Sequence, residues 1–593
     1  MAPLRSLLAL CAATLASSVY SAFVPFELRL TWEVGAPNGE PREMIFMNGQ
    51  FPGPELRIDQ GDEVEFTVHN HLPFNTSVHF HGIEQYKTPW SDGVPGLTQK
   101  PIQPGETFVY RWTATQYGTY WYHAHSRGTV ADGLYGAIWI KPKPGTPTPF
   151  GLISQDEEDI QAMLRAEANP RLVVLSDWEH LTSEQYMYYQ EYSGLDLFCV
   201  DSVLINGRGA IYCLSADELY SYETPYLKAA IDNLNLTDKG CYPNIFETQG
   251  NYSYDESKVP PGVNSGCRPN KGLHEVFEVD ASEGWASFKF ISAAFMKSLV
   301  VSIDEHPMWI YEVDGRYIEP QLVHSFPIYN GERYSAMIKL DKLPKNYTMR
   351  IPDTNVDQII SGFATLSYMG GQDLGPSKPY VNYGGLNVSA DVVSLNVNTL
   401  PPYPNIKPAK TADIMYNLTM GRFNSSYTWT LDGTDLYDVN ANADTPILFD
   451  LSARDNLAKN LTLVTLNGTW VDLILQLGIF PNTPSIQAPH VIHKHSNKAF
   501  MIGSGDGFFN WTSVNEAIRE SPRNFNLENP NYRDTFVTNG PFGPTWMVLR
   551  YQVVNPGPFL LHCHIETHLT GGMGVALLDG VDQWPKVPPE YAI

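Results

Sequence analysis

The sequence predicts an all-β protein built as three sandwich-like domains, and three observations carry that prediction. Gly 46 and Pro 45 are frequent among 593 residues, aromatics reach 12% and charged residues only 17%, a balance that suits turn-rich β domains. Apolar residues alternate with polar ones at the period of half-buried strands: Val64, Phe66 and Val68 against Glu63, Glu65 and Thr67, then Phe108, Tyr110 and Trp112. Turn clusters such as Phe51-Pro-Gly-Pro54, Ser91-Asp-Gly93 and Gln103-Pro-Gly105 punctuate these runs at sandwich-like intervals. One helix-like patch, Asp156 to Ala166, has an acidic first turn and sets Ile160, Met163 and Leu164 on one face, as a connector between domains would. Pro-rich stretches at Lys141–Pro149 and from Gly375 through Pro404 mark the boundaries. The expected domains are residues 22–148, 149–385 and 386–593.

Residues 1–21 read as a secretory signal peptide, with Arg5 near the start, an apolar run from Leu7 to Ala16 and small residues before a cut after Ser21. No later stretch offers 18 uncharged apolar residues, so no membrane partner is expected. The net charge of −25 repels nucleic acid and anionic lipid. Sequons at Asn75, Asn235, Asn251, Asn346, Asn387, Asn417, Asn424, Asn460, Asn467 and Asn510 fit a secreted chain bearing N-linked glycans. A secreted monomer, extracellular or in the cell wall, is expected. Of the 6 cysteines, Cys11 leaves with the leader and Cys563 sits between two histidines. Four remain for disulfides, and proximity in sequence favours Cys199–Cys213 and Cys241–Cys267.

Histidines carry the chemistry. Ten of the 16 fall in the short windows 79–81, 123–125, 490–495 and 562–568. In His79-Phe-His81 and His123-Ala-His125 the two-residue spacing puts both imidazoles on one face of a strand. In His490-Val-Ile-His493-Lys-His495, residues 493 and 495 share a face that 490 does not, so this window feeds two sites. The same parity splits Cys563 from His562 and His564, with His568 and Met573 following. One Cys, two His and a weak thioether match a blue-copper electron-transfer site. The other eight histidines suit a cluster of several copper ions. Zinc is the rival, but structural zinc sites close at four ligands and zinc has no redox chemistry. The windows lie only in the first and third domains, so one shared site requires those domains to meet.

These four motifs, His79-Phe-His81-Gly, His123-Ala-His125, His490-x-x-His493-x-His495 and His562-Cys-His-Ile-Glu-Thr-His568 with Met573, resemble the copper-binding motifs of multicopper oxidases. The chain is most similar to secreted ascomycete laccases of the pigment-associated kind. The resemblance implies three cupredoxin-like Greek-key domains and four copper ions. His490, Cys563, His568 and axial Met573 would form the type 1 site, His79 and His493 the type 2 site, and His81, His123, His125, His495, His562 and His564 the type 3 pair. It also implies an enzyme that takes single electrons from phenols or aromatic amines near His490 and reduces dioxygen to water at the trinuclear cluster. Ferroxidase and ascorbate-oxidase-like activities are the alternatives.

Three departures and matches refine this expectation. Many fungal laccases carry Leu or Phe where this chain has Met573, and a coordinating thioether favours a low to middling potential. Family laccases place an acidic residue near the strand that here begins with His274, so His274 becomes the expected substrate base, active when neutral. Asp92 and Glu566 match acidic positions that relatives use to supply protons near the cluster. The histidines at 69, 71, 180, 306 and 324 are expected to be non-ligands.

Overall fold

The computed structural model describes residues 21–224, 228, 235–243, 252–478, 489–540 and 543–591. Apart from Ser21, the expected leader lies outside the described residues, and so does the sequon at Asn251. The chain is all-β as expected, with six sheets of four to six strands.

Two four-stranded sheets come from the first part of the chain. In one, Glu63–Asn70 pairs antiparallel with Thr107–Thr113, setting Val64, Phe66 and Val68 opposite Trp112, Tyr110 and Phe108. In the other, Val78–His81 is the edge strand beside Gly118–Ala124. Apolar side chains from both sheets form one core around Phe66, Phe80, Tyr110 and Tyr122. Strands from Arg171–Trp178 to Ser361–Tyr368 build a six-stranded and a five-stranded sheet over a second core. Trp121, Tyr135, Ala137 and Trp139 join that second core, so the first sandwich is buried against the middle one. Strands from Ile414–Arg422 to Gly574–Asp579 build a third pair of sheets, whose core includes Cys563 and Met573.

The expected helix runs Glu157–Ala168 and is N-capped by Asp156, whose side chain accepts from Glu158 N at 2.9 Å. Among the helices that the sequence reading does not anticipate are Ser183–Ser193 and Ala216–Tyr222. Both begin with capping boxes, Thr182 with Gln185 and Ser215 with Glu218. The tyrosines of the longer one obscure any apolar face. No helix among the described residues is long and apolar enough to cross a membrane.

The disulfide pairing differs from the expectation. Cys199 joins Cys241 and Cys213 joins Cys267. Gln358 explains the first bond: its side chain accepts from Val200 N and donates to Val200 O, both at 2.9 Å, and donates to Lys239 O at 3.1 Å, which brings the two cysteine segments together. The strand Ser202–Ile205 meanwhile carries the chain away before Cys213. Closure entropy grows only slowly with loop length, so nearness in sequence confers little advantage.

Candidate metal centre

Strand register brings the histidines together. His79 lies opposite His123 across the pair Val78–His81 and Gly118–Ala124. His493 lies opposite His562, and Ile492 opposite Cys563, across Val491–Lys494 and Gly557–Cys563. The two-residue period therefore sends His562 one way and Cys563 the other. The ends of the chain meet at these rings: His81 stacks on His493 with centroids 3.6 Å apart, and His79 on His495 at 3.8 Å.

Within this cluster the donor nitrogens form two facing sets. His81 Nδ1 lies 3.1 Å from His564 Nε2, and the His123 ring is 5.7 and 5.3 Å from theirs. His495 Nε2 lies 3.2 Å from His562 Nε2, and the His125 ring is 5.1 and 5.2 Å from theirs. The Nε2 atoms of His79, His123, His125 and His493 are buried without a hydrogen-bond partner.

The opposite nitrogens are occupied, which fixes the tautomers. Nδ1 donates to Asp92 O from His79 at 2.6 Å, to Ala124 O from His123 at 2.8 Å, to Asp534 O from His493 at 3.0 Å and to Cys563 O from His562 at 2.8 Å. Burial pulls His79 down to about 3 and His562 to about 4, so the imidazoles are neutral. Neutral rings aiming unpaired lone pairs at one another are the donor set a metal cluster requires.

The second set is smaller. His490 Nδ1, His568 Nδ1 and Cys563 Sγ form a triangle of sides 3.1, 3.8 and 3.6 Å. A flat three-donor metal site with bonds of about 2.0–2.3 Å has sides of roughly 3.5 Å, so the triangle fits. Burial pushes the thiol up to about 12, and only a cation among the donors makes a thiolate there economical. Met573 is fully buried in the same core, its carbonyl accepting from Cys563 N at 3.1 Å and its amide donating to His568 O at 2.9 Å. Trp429 covers the set, 4.7 Å from the His490 ring and 4.4 Å from His568. His490 is sealed, while His568 keeps 6% exposure. The outer edge is therefore His568, not His490.

A carboxylate that the sequence did not flag stands at that edge. Asp196 Oδ2 is 4.0 Å from His568 Nε2 and 3.2 Å from the Arg422 guanidinium. Burial raises its carboxyl to about 6, against the opposing pull of Arg422. His274 is elsewhere: it is exposed just before Glu275–Val279, with Nε2 3.3 Å from Tyr212 Oη and Nδ1 3.3 Å from Phe363 O. None of its hydrogen-bond or ring contacts reaches His490, Cys563 or His568.

Asp92 and Glu566 do lie at the cluster. Asp92 Oδ2 accepts from His495 Nδ1 at 2.9 Å, and burial raises its pKa well above the carboxylate range. The loop needs Gly93 at φ 86°, because a Cβ there would stand 2.0 Å from Val78 O. Glu566 is buried, pushed up to about 8, and shares a cavity with His125 that also touches Asn75 and Arg127. Asp534, also missed, has Oδ1 3.5 Å from His81 Nε2 and is held ionised by Arg333 and Lys498 against its own burial. One carboxylate in Asn531-Tyr-Arg-Asp534 shows no pattern in the sequence; its role is spatial. Of the expected non-ligands, His306 is held by Asp304 O and Tyr368 Oη, both at 2.8 Å.

Family models described as multicopper oxidase match residues 29–145, 170–371 and 430–583. Laccase abr2 of Aspergillus fumigatus is 55% identical over 96% of this chain and 97% of its own length. Multicopper oxidase GIP1 of Gibberella zeae is 48% identical over 99% of the chain and 88% of its length. Among solved structures, the laccase of Botrytis aclada superposes with a TM-score of 0.67 at 22% identity, covering 96% of this chain and 89% of that one. Fet3p, described as a multicopper oxidase that functions in iron import, gives 0.65 at 20% identity, covering 96% and 94%.

Proposed function

The chain belongs to the multicopper oxidase family, and from that premise we propose how its residues divide the work of a laccase-like copper oxidoreductase. His490, Cys563 and His568 would hold the type 1 ion, with the Met573 thioether as a further weak donor from the same core. His79 and His493 would hold the type 2 ion. His81, His123 and His564 would hold one ion of the type 3 pair, and His125, His495 and His562 the other. The observation that carries this division is the pair of facing nitrogen sets, with the unpartnered nitrogens of His79 and His493 on rings that stack on His495 of one set and His81 of the other. Four coppers per chain, with one blue and one non-blue paramagnetic signal, is the expected result of metal analysis and electron paramagnetic resonance; fewer than four in fully loaded protein would overturn it.

Bound copper would accept electrons singly at the Cys563 set and deliver four to dioxygen at the histidine cluster. The chain's own residues prepare both ends. His562 and His564 flank Cys563 in sequence, so a few covalent bonds connect the two sets. Trp429 and His568 form the outer wall against which an aromatic ring would lie. Asp196 takes the proton that a phenol loses on oxidation, the role expected of His274. Glu566 and Asp92, buried with raised pKa values, store protons for the oxygen chemistry.

Phenols and aromatic amines are the proposed reductants, supported by relatives that carry the name laccase. Iron oxidation would need a carboxylate cluster at the outer edge, and among the described residues only Asp196 is paired with His568. Rates on 2,6-dimethoxyphenol, Fe(II) and ascorbate compare the three readings; faster turnover of Fe(II) or ascorbate would displace the phenol reading. We further propose a secreted, glycosylated monomer of three domains, 22–148, 149–385 and 386–593, after removal of 1–21. Eight of the nine described sequon asparagines are exposed and Asn75 is half-buried. Asn460 is the poorest acceptor, because its amide nitrogen is already bonded to Asp432, Thr434 and Asp435.

A further inference from the structure

Residues 126–489 contain none of the proposed copper ligands, yet one loop and one arginine from the middle sandwich reach the histidine cluster. Gly331 lies so close that a Cβ there would stand 2.7 Å from His81 Cε1 and 2.9 Å from His564 Cδ2, and its φ of 81° disfavours a side chain as well. Two residues on, Arg333 begins the strand Arg333–Lys339 and is fully buried. Its guanidinium binds Asp534 twice, at 2.5 and 2.8 Å. The same group donates from Nε to Thr119 O at 3.2 Å, on the strand that carries His123, and from Nη1 to Gly331 O at 3.2 Å. Asp314 fixes the arginine from behind, accepting from its backbone N at 2.9 Å.

Asp534 in turn orients the rings. Its carbonyl accepts from His493 Nδ1 at 3.0 Å, and its carboxylate accepts from Thr535 Oγ1 at 3.1 Å. That hydroxyl lies 3.2 Å from His81 Nε2. His81 and His493 are the rings stacked 3.6 Å apart where the first and third sandwiches meet.

We propose that Arg333 is a positioning residue for the trinuclear copper cluster, tying Asp534, the Thr119 end of the His123 strand and the Gly331 loop into one frame that sets His81 and His493. The inference rests on the cluster reading above. A planar guanidinium spreads five donors over three nitrogens and can grip both oxygens of a carboxylate while reaching carbonyls on separate segments, whereas a lysine carries its three donors on a single nitrogen and cannot reproduce that bidentate, spread geometry. Conserving the charge therefore does not conserve the frame. Substitution of residues that orient metal-binding imidazoles typically costs 10–100-fold in metal affinity.

The test uses the full-length, copper-loaded protein and its Arg333→Lys, Arg333→Gln and Gly331→Ala variants. Each is assayed for copper content, blue absorbance, the type 2 paramagnetic signal and the rate at which a chelator removes type 2 copper. Arg333→Lys is expected to lose type 2 copper about 10-fold faster, with altered hyperfine splitting and unchanged blue absorbance per chain. Gly331→Ala, which leaves the arginine in place, is expected to perturb the type 3 absorbance first. Should Arg333→Gln fail to fold, the other two decide the matter. Wild-type chelation rates and type 2 spectra in both Arg333→Lys and Gly331→Ala would overturn the inference. So would blue and type 2 signals that decline in step, which would indicate general loosening. A wild-type protein with no type 2 signal would overturn the cluster reading itself, and this inference with it.

Discussion

As the proposed proton acceptor, Asp196 should make phenol oxidation pH-dependent in a direction opposite to a buried acid that must stay protonated. Its carboxyl sits at about 6, so it accepts a proton only above that pH, and kcat/KM for phenols should rise as pH climbs through 6. Asp196→Asn should remove that limb and lower the plateau by about 10²-fold, while His274→Ala should leave the profile unchanged; the reverse pattern in pH-dependent rates would restore His274. Glu566 works the other way. Raised to about 8 by burial, it carries its proton at neutral pH, so Glu566→Gln should slow reoxidation by dioxygen by about 10²-fold with anaerobic reduction of the blue site intact. Stopped-flow reoxidation checks this, and loss of blue colour in the variant would assign Glu566 a structural role instead. The histidines and Cys563 that the fold gathers into two donor sets stand out in the sequence because copper accepts few side-chain types and strand parity sorts them within short windows. Asp196 and Asp534 do not, since one carboxylate among 64 acidic residues forms no local pattern and gains its role from contacts across the fold.

Short elements tune what the strands position. The stretch from Glu566–Thr570 to Gly574–Asp579 sets His568 and Met573 against Cys563, joined by backbone bonds of 2.9 and 3.1 Å. Met573→Leu keeps the volume, so unfolding free energy should change by less than about 1.5 kcal/mol. It removes the thioether, so the potential of the blue site should rise; a redox titration giving an equal or lower value would show Met573 to be a core filler. Alternation also made the strands legible: Val64, Phe66 and Val68 are buried as the pattern requires. The helix Ser183–Ser193 escaped because its tyrosines at 186, 188, 189 and 192 face both core and solvent, leaving only the capping box as a signal. The Cys199–Cys241 pairing is hidden from sequence for a related reason, since it is Gln358, distant in sequence, that bridges the two cysteine segments.

At the scale of the whole molecule, the histidine cluster joins segments that are some 400 residues apart in sequence, as the His495 bond to Asp92 illustrates. Copper should therefore act as a structural clamp as well as a catalyst. The buried Nε2 atoms of His79, His123, His125 and His493 have no protein partner, and a buried nitrogen left unsatisfied costs about 1–3 kcal/mol. Chelated protein should melt well below the loaded form, since a ligand that binds only the folded state stabilises it by mass action. The chelated form should also become acid-sensitive. His79 and His490 are held down to about 3 and His562 to about 4, chiefly by burial, whereas an unfolded histidine titrates near 6.5. Between about pH 6.5 and 4 the unfolded chain thus binds protons that the folded chain refuses. Each such histidine makes stability fall by up to about 1.4 kcal/mol per pH unit as pH drops, and stability is fully present only above the unfolded value. Thermal unfolding of chelated protein at pH 7 and pH 5.5 should show a large drop in midpoint, shared by all three sandwiches because the first and third meet at these rings. A midpoint that stays constant across that interval would mean that the imidazoles are hydrated in the metal-free protein, and that the clamp is not set by their burial.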